Sequence, residues 1–137
     1  MSVKGRSYYK EIGTIAEYAF MTEAMKQGLA ISIPAGDNLP YDVVVDNGQK
    51  LLKIQIKTAE GYNGIYNIKN RRSQGKKYNL EDFDFACVYI ERLNIFYIMP
   101  VEEFIGFSGN IRIVEGNYLG NSSKLFDRQN AWKLLKE

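Results

Sequence analysis

The sequence predicts an α/β fold with a mixed β-sheet flanked by helices. Three observations carry this: an amphipathic helical pattern at the start, two alternating segments around an Asn-Gly pair, and two apolar strands that run into helical signals. From about Tyr9 to Gln27 the residues are good helix formers. Ile12, Ile15, Ala16, Ala19 and Phe20 form an i, i+3, i+4 stripe, and Gly28 is a natural C-terminal stop. A short apolar run, Leu29 to Ile33, ends at Pro34, and residues 35–40 have turn chemistry. Tyr41 to Asp46 and Lys50 to Thr58 then read as strands flanking Asn47-Gly48. That dipeptide favours a two-residue hairpin turn, because both central residues need positive φ. Such a turn sets Asp42 opposite Lys53, with Gln55 its diagonal neighbour on the same face.

Residues 60–80 are polar, aromatic and basic, with a short strand expected at Ile65 to Ile68. Phe85 to Ile90 and Ile95 to Met99 read as strands joined by a turn at Leu93-Asn94. Pro100 suits the first position of a short helix reaching about Ile105, with Glu102 and Glu103 in its first turn. Ile111 to Val114 reads as an edge strand, and Ser122 or Ser123 as the cap of a last helix through Leu135.

The 137 residues suit one domain over 1–137, and 45% hydrophobic content is enough for a real core. Histidine is absent and Cys87 is the sole cysteine. Cys/His zinc sites, His-dependent nucleophilic triads, HNH-type nucleases and disulfide frameworks are thereby excluded. Cys87 reads as a buried filler. No membrane span or signal-peptide core is visible, so a cytoplasmic chain is expected and the sequon at Asn121 is without meaning. Charge is uneven: residues 1–80 hold 12 Lys/Arg against 7 Asp/Glu, and residues 81–137 hold 6 against 9. A basic front half predicts one polyanion-facing surface.

Period-2 geometry sends Lys53, Gln55 and Lys57 to one face of their strand and Leu52, Ile54 and Ile56 to the other. Asp42 and Gln55 then come near enough to share one ion. Mg²⁺ needs few protein ligands: Asp42 offers charge, Gln55 Oε1 a neutral oxygen and Ile56 its carbonyl, with Lys57 as a neighbouring cation. On the first helix, Gly13 lies one turn before Glu17 and leaves space beside that carboxylate, although glycine costs roughly 1 kcal/mol there against alanine. A solvated hairpin face would show the same alternation, so spacing alone leaves both readings open.

Glu17, Tyr41-Asp42 and Gln55-Ile56-Lys57 together resemble the PD-(D/E)xK nuclease superfamily in a Q-x-K variant. The stretches GTIAE, IPAGDNLPYDVVVDNGQKLLKIQIKTA and FDFACVYIERLNIFYIMPVEEF resemble its small group I intron-associated homing endonucleases, over about residues 5–105. The resemblance implies a restriction-endonuclease-like core and a Mg²⁺-dependent DNA endonuclease, with Mn²⁺ able to substitute. It implies catalytic roles for Glu17, Asp42, Gln55 and Lys57, and metal binding by Asp42, Gln55 and Ile56. Two departures stand out: Pro40 is one residue removed from Asp42, and Gln55 replaces the commoner acid.

Double-stranded DNA is the expected partner. Lys69, Arg71, Arg72, Lys76 and Lys77 place five cations in nine residues without an acid, between Tyr62, Tyr66 and Tyr78. Lys53, and Lys4, Arg6 and Lys10 beside Tyr8 and Tyr9, are further candidate DNA contacts. A homodimer or homotetramer is expected, since duplex strands present opposed scissile phosphates; Phe104, Ile105, Phe107, Phe126, Trp132, Leu134 and Leu135 are candidate contacts. A Holliday-junction resolvase and a non-catalytic DNA-binding module with a decayed site are the alternatives.

Overall fold

A computed structural model describes residues 4–116 and 125–137. The expected cap at Ser122 or Ser123 and the sequon lie outside the described residues. Helix α1 spans Tyr8–Lys26, with Ser7 Oγ accepting from the Lys10 N–H. Gly28, at φ +87°, ends it in a backbone conformation open to glycine. Its buried stripe is Ala16, Phe20 and Ala24. Ile15, expected in that stripe, is 41% exposed, because the helix meets the sheet over a narrower arc than the apolar pattern covers.

Eight strands follow in chain order: β1 (Ala30–Ser32), β2 (Val43–Asp46), β3 (Leu51–Thr58), β4 (Glu60–Tyr62), β5 (Ile65–Ile68), β6 (Phe85–Ile90), β7 (Ile95–Pro100) and β8 (Ile111–Val114). Helices α2 (Val101–Ile105) and α3 (Lys133–Lys136) and three 3₁₀ turns accompany these strands among the described residues. Five strands form a mixed sheet in the order β1-β2-β3-β6-β7, in which only β3 and β6 run parallel. The strands β4-β5-β8 form a second, antiparallel sheet.

The β2–β3 register corrects the expected turn. Val43 pairs with Ile54 and Asp46 with Leu51, so the connection is four residues long, and Asp42 N donates to Ile54 O at 2.8 Å. The Asn47 side chain is the cause. Its Oδ1 accepts from Gln49 N and Lys50 N, while its amide donates to the carbonyls of Leu135 and Glu137. The slip is two residues, one full pleat, so every side chain keeps its predicted face. Asp42 therefore stands directly opposite Gln55 instead of diagonal to it.

A parallel pair needs a long crossover, most often a helix. Here the β3–β6 crossover is the β4–β5 hairpin followed by the basic segment, which folds back on itself: Arg71 bridges Lys77, and Arg72 N donates to Lys76 O at 2.7 Å. Ile111–Val114 is an edge strand as expected, but of the second sheet, beside β5. Pro100 closes β7 and caps α2 instead of opening it, because it is still paired with Phe85.

Two cores sit on the two faces of the main sheet. Leu52, Ile54 and Ile56 pack with Phe20 of α1 and with Trp132 and Leu135 at the C-terminus. Phe20 and Phe96 each lie 5.3 Å from Trp132 between ring centroids. On the other face Ala86, Val88 and Met99 meet Tyr66 and Ile113 of the second sheet and Phe104 of α2. Cys87 is fully buried, as expected. Phe104, Trp132 and Leu135 thus belong to the chain's own core and offer no association surface, whereas Phe126 is 54% exposed. Among the described residues no helix is long and apolar enough to cross a membrane.

Candidate active site

Asp42 and β3 meet where β2 begins. Asp42 Oδ2 accepts from Ile56 N at 2.7 Å and from Gln55 Nε2 at 2.9 Å. Gln55 Nε2 also donates to Ile56 O at 3.2 Å. Two oxygens, one a carboxylate, therefore converge on a single positively polarised group inside a largely buried setting. Turning the Gln55 amide over would bring Oε1 to the same point. A hard cation with oxygen ligands fits such a donor set, needing one or two carboxylates and completing its shell with water. Among the described residues no cluster of three or more His, Cys, Asp or Glu side chains is present, so a metal held here would rest on this mixed set.

Electrostatics point the same way. Burial raises the Asp42 pKa above the usual carboxylate value, against the lowering effects of the Ile56 N–H and of Lys57. Glu17 is raised as well, first by burial and then by the charge of Asp42, which places α1's carboxylate within electrostatic range of the cluster. A carboxyl raised by a neighbouring carboxylate gains from a cation placed between the two. Gly13 has open space where a side chain would begin, and it lines a cleft of about 520 Å³ with Lys57, Tyr62 and Asn67.

Lys57 is largely enclosed. Its Nζ donates to Arg71 O at 3.2 Å and lies 5.0 Å from the centre of the Tyr78 ring. Burial lowers its pKa first, Asp42 opposes this, and Lys69 adds to the lowering. Tyr78 is itself pushed up to about 12, by burial and by the Asp42 charge. Asn70, a buried residue that sequence reading passed over, holds this wall: its amide donates to the carbonyls of Phe104 and Phe107, and its Oδ1 accepts from Arg71 Nη1. An asparagine in a basic loop carries no periodic signal, and its partners are remote in sequence.

The candidate DNA contacts divide. Lys69, Lys76 and Lys77 are exposed and Arg72 partly so, none with a side-chain ion pair among the described residues. Arg71 is turned to Asn70, and its carbonyl to Lys57. Lys53 is drawn away from a free surface: its Nζ donates to Glu81 O at 2.7 Å and lies 5.7 Å from the Tyr41 ring centre. Arg6 pairs with Glu11 at 2.7 Å, while Lys4 and Lys10 are exposed. A wider groove of about 1300 Å³ between α1 and the C-terminal segment is lined by Tyr18, Glu23 and Trp132 and holds none of the candidate site residues.

A mixed sheet with a helix-borne acid, a strand-end aspartate and a Q-x-K strand defines a nuclease-like architecture. Residues 8–135 match the model of the PD-(D/E)XK endonuclease family, and the chain belongs to that family. It is similar to the structure of the bacterial homing endonuclease I-Ssp6803I, with 34% identity and a TM-score of 0.85 over 95% of this chain and 94% of that one. It shares the fold of Hjc, a Holliday junction resolvase of Archaeoglobus fulgidus, at 20% identity and a TM-score of 0.51, over 75% of this chain and 84% of that one. No curated protein matches. The family acts on DNA and generally uses divalent metal ions.

Proposed function

We propose that this chain is a Mg²⁺-dependent endonuclease cutting double-stranded DNA at a specific site, of the homing type. One observation carries the reading: Asp42 Oδ2, the Gln55 amide and the Ile56 backbone gather within 2.7–3.2 Å of one another. Lys57 and Glu17 stand within electrostatic range of that cluster. The 34% identity to a bacterial homing endonuclease over nearly the whole chain supports the type.

In this reading Asp42, Gln55 Oε1 and the Ile56 carbonyl hold Mg²⁺, or Mn²⁺ in its place. The ion, when bound, supplies Lewis-acid charge at the scissile phosphate. Glu17 orients the attacking water and takes its proton. Lys57, a desolvated cation, offsets negative charge as the water oxygen bonds to phosphorus. The bond from phosphorus to O3′ then breaks, the O3′ takes up a proton, and the new end is a 5′-phosphate. The exposed cations Lys69, Lys76 and Lys77, with the half-exposed Arg72, grip the backbone. The chain acts as one intracellular domain that assembles as a homodimer or dimer of dimers, so that both strands are cut.

Supercoiled plasmid incubated with Mg²⁺ or with EDTA, beside the Lys57→Ala variant, tests the activity. Cleavage that needs Mg²⁺ and fails in the variant is expected. Salt-dependent binding without cleavage would favour the non-catalytic module, and preference for a four-way junction over linear duplex would favour the resolvase.

A further inference from the structure

The second sheet has an outer face that no core uses. In β5, Tyr66 and Ile68 are buried while Asn67 is exposed; in β8, Ile111 and Ile113 are buried while Arg112 is exposed. The register lines up Glu60, Asn67 and Arg112 as one row across the three strands. The DNA major groove, ~12 Å wide, admits a two-stranded ribbon, and the neighbouring strands β5 and β8 carry Asn67 and Arg112 side by side. Each member of the row is a side chain able to read base edges: the amide both donates and accepts, the guanidinium matches guanine, and the carboxylate accepts from cytosine.

Placement joins this face to the site. Glu60, Asn67 and Lys69 line the same 520 Å³ cleft as Lys57, so the row borders the cleft that holds the lysine. Beyond Lys69 the chain turns straight into the exposed cations of the 71–77 hairpin, which suit phosphates. At the other end of the ribbon, Asn63 and Gly64, at φ 55° and 77°, form a tight turn beside Tyr62, which is 79% exposed.

We infer that the outer face of β4–β5–β8 is the base-reading surface of this protein, entering the major groove of duplex DNA with Asn67 and Arg112 as its central readers. The inference rests on the proposed action on DNA and adds where sequence is read. Phosphate grip and base readout are then separate elements, joined by the end of β5.

The test is selection of bound duplexes from a randomised library in EDTA, using the wild type, Asn67→Ala and Arg112→Ala, with thermal unfolding as the fold control. The wild type should enrich a defined sequence. Each variant should lose roughly 5- to 150-fold of the preference at one or two adjacent base pairs. Its affinity for random duplex, and the salt dependence of that affinity, should stay near the wild-type values. Enrichment of an unchanged sequence by both folded variants overturns the inference, as does a wild type that enriches none. Plasmid cleavage by the wild type in Mg²⁺ is scored separately: enrichment without cleavage defeats the nuclease reading alone, and cleavage with unchanged enrichment defeats this one alone.

Discussion

Replacing Asp42 by asparagine should separate folding from chemistry. Asp42 Oδ2 accepts two hydrogen bonds, from Ile56 N and Gln55 Nε2. Both bonds meet on that one oxygen, so the oxygen of the new amide, set in its place, keeps both. A neutral amide oxygen is a weaker acceptor than a carboxylate, a loss of about 1 kcal/mol over the two bonds. Loss of a buried charge offsets this. Because burial raises the folded pKa of Asp42, its contribution to stability is full below the ordinary carboxylate range and is lost as pH rises through the folded value. Stability at neutral pH should therefore change by less than about 1 kcal/mol, or roughly 5 °C in Tm. Asp42→Ala strands both donors and should cost about 2–4 kcal/mol. Cleavage is another matter. Losing the charged ligand removes several kcal/mol of transition-state stabilisation, a fall of at least about 10³-fold in rate. Initial plasmid-nicking rates in Mg²⁺, anisotropy binding to duplex in EDTA and thermal unfolding read the three effects. Nicking at the wild-type rate by a folded Asp42→Asn variant would refute the site. Duplex binding should be preserved or tightened, since one charge opposing phosphate has gone.

Gln55→Glu should bind Mg²⁺ more tightly by restoring a carboxylate, and isothermal titration with unchanged affinity would place Gln55 outside the ion's ligands. Alanine at Arg72, Lys76 and Lys77 together should flatten the log K against log salt slope by roughly 0.9 per lost phosphate contact; an unchanged slope assigns these charges to solvent. Lys57 has a lowered folded pKa, so the wild type in EDTA should gain stability as pH rises through that value toward the unfolded one. Lys57→Met should remove that gain, as denaturant melts at neutral and alkaline pH will read. Light scattering at micromolar concentration should give a dimer or tetramer mass, and a monomer mass with and without DNA would defeat the assembly.

The faces of β3 were legible because period-2 alternation is local. Its partner register was not, because Asn47 is held by the carbonyls of Leu135 and Glu137 at the far end of the chain. Asp42 and Gln55 were placed together even so, since a two-residue slip preserves the face. The strand Ile65 to Ile68 could be read, but not the sheet it joins, whose partner Ile111–Val114 lies across the whole of β6 and β7. Charge alone marked Lys53 and Arg6 as DNA contacts; Glu81 O and Glu11 claim them, one through a crossover and one through a helix start. Asn70 and the Arg71 carbonyl left no trace in the pattern, since their roles exist only after the hairpin closes.

The parallel pairing of β3 with β6 has a consequence during synthesis on the ribosome. Glu17, Asp42, Gln55 and Lys57 are all translated before the crossover begins. Yet Gln55 and Lys57 acquire their strand neighbours Ala86 and Val88 only when β6 arrives, after a long loop has been closed against its entropy. The apolar side of β3 waits longer still, for Trp132 and Leu135. A nascent chain therefore carries the candidate residues without the walls that enclose them. The enclosure of the candidate site is thus among the latest parts of the fold to form, since it needs contacts from residues more than seventy positions downstream of β3.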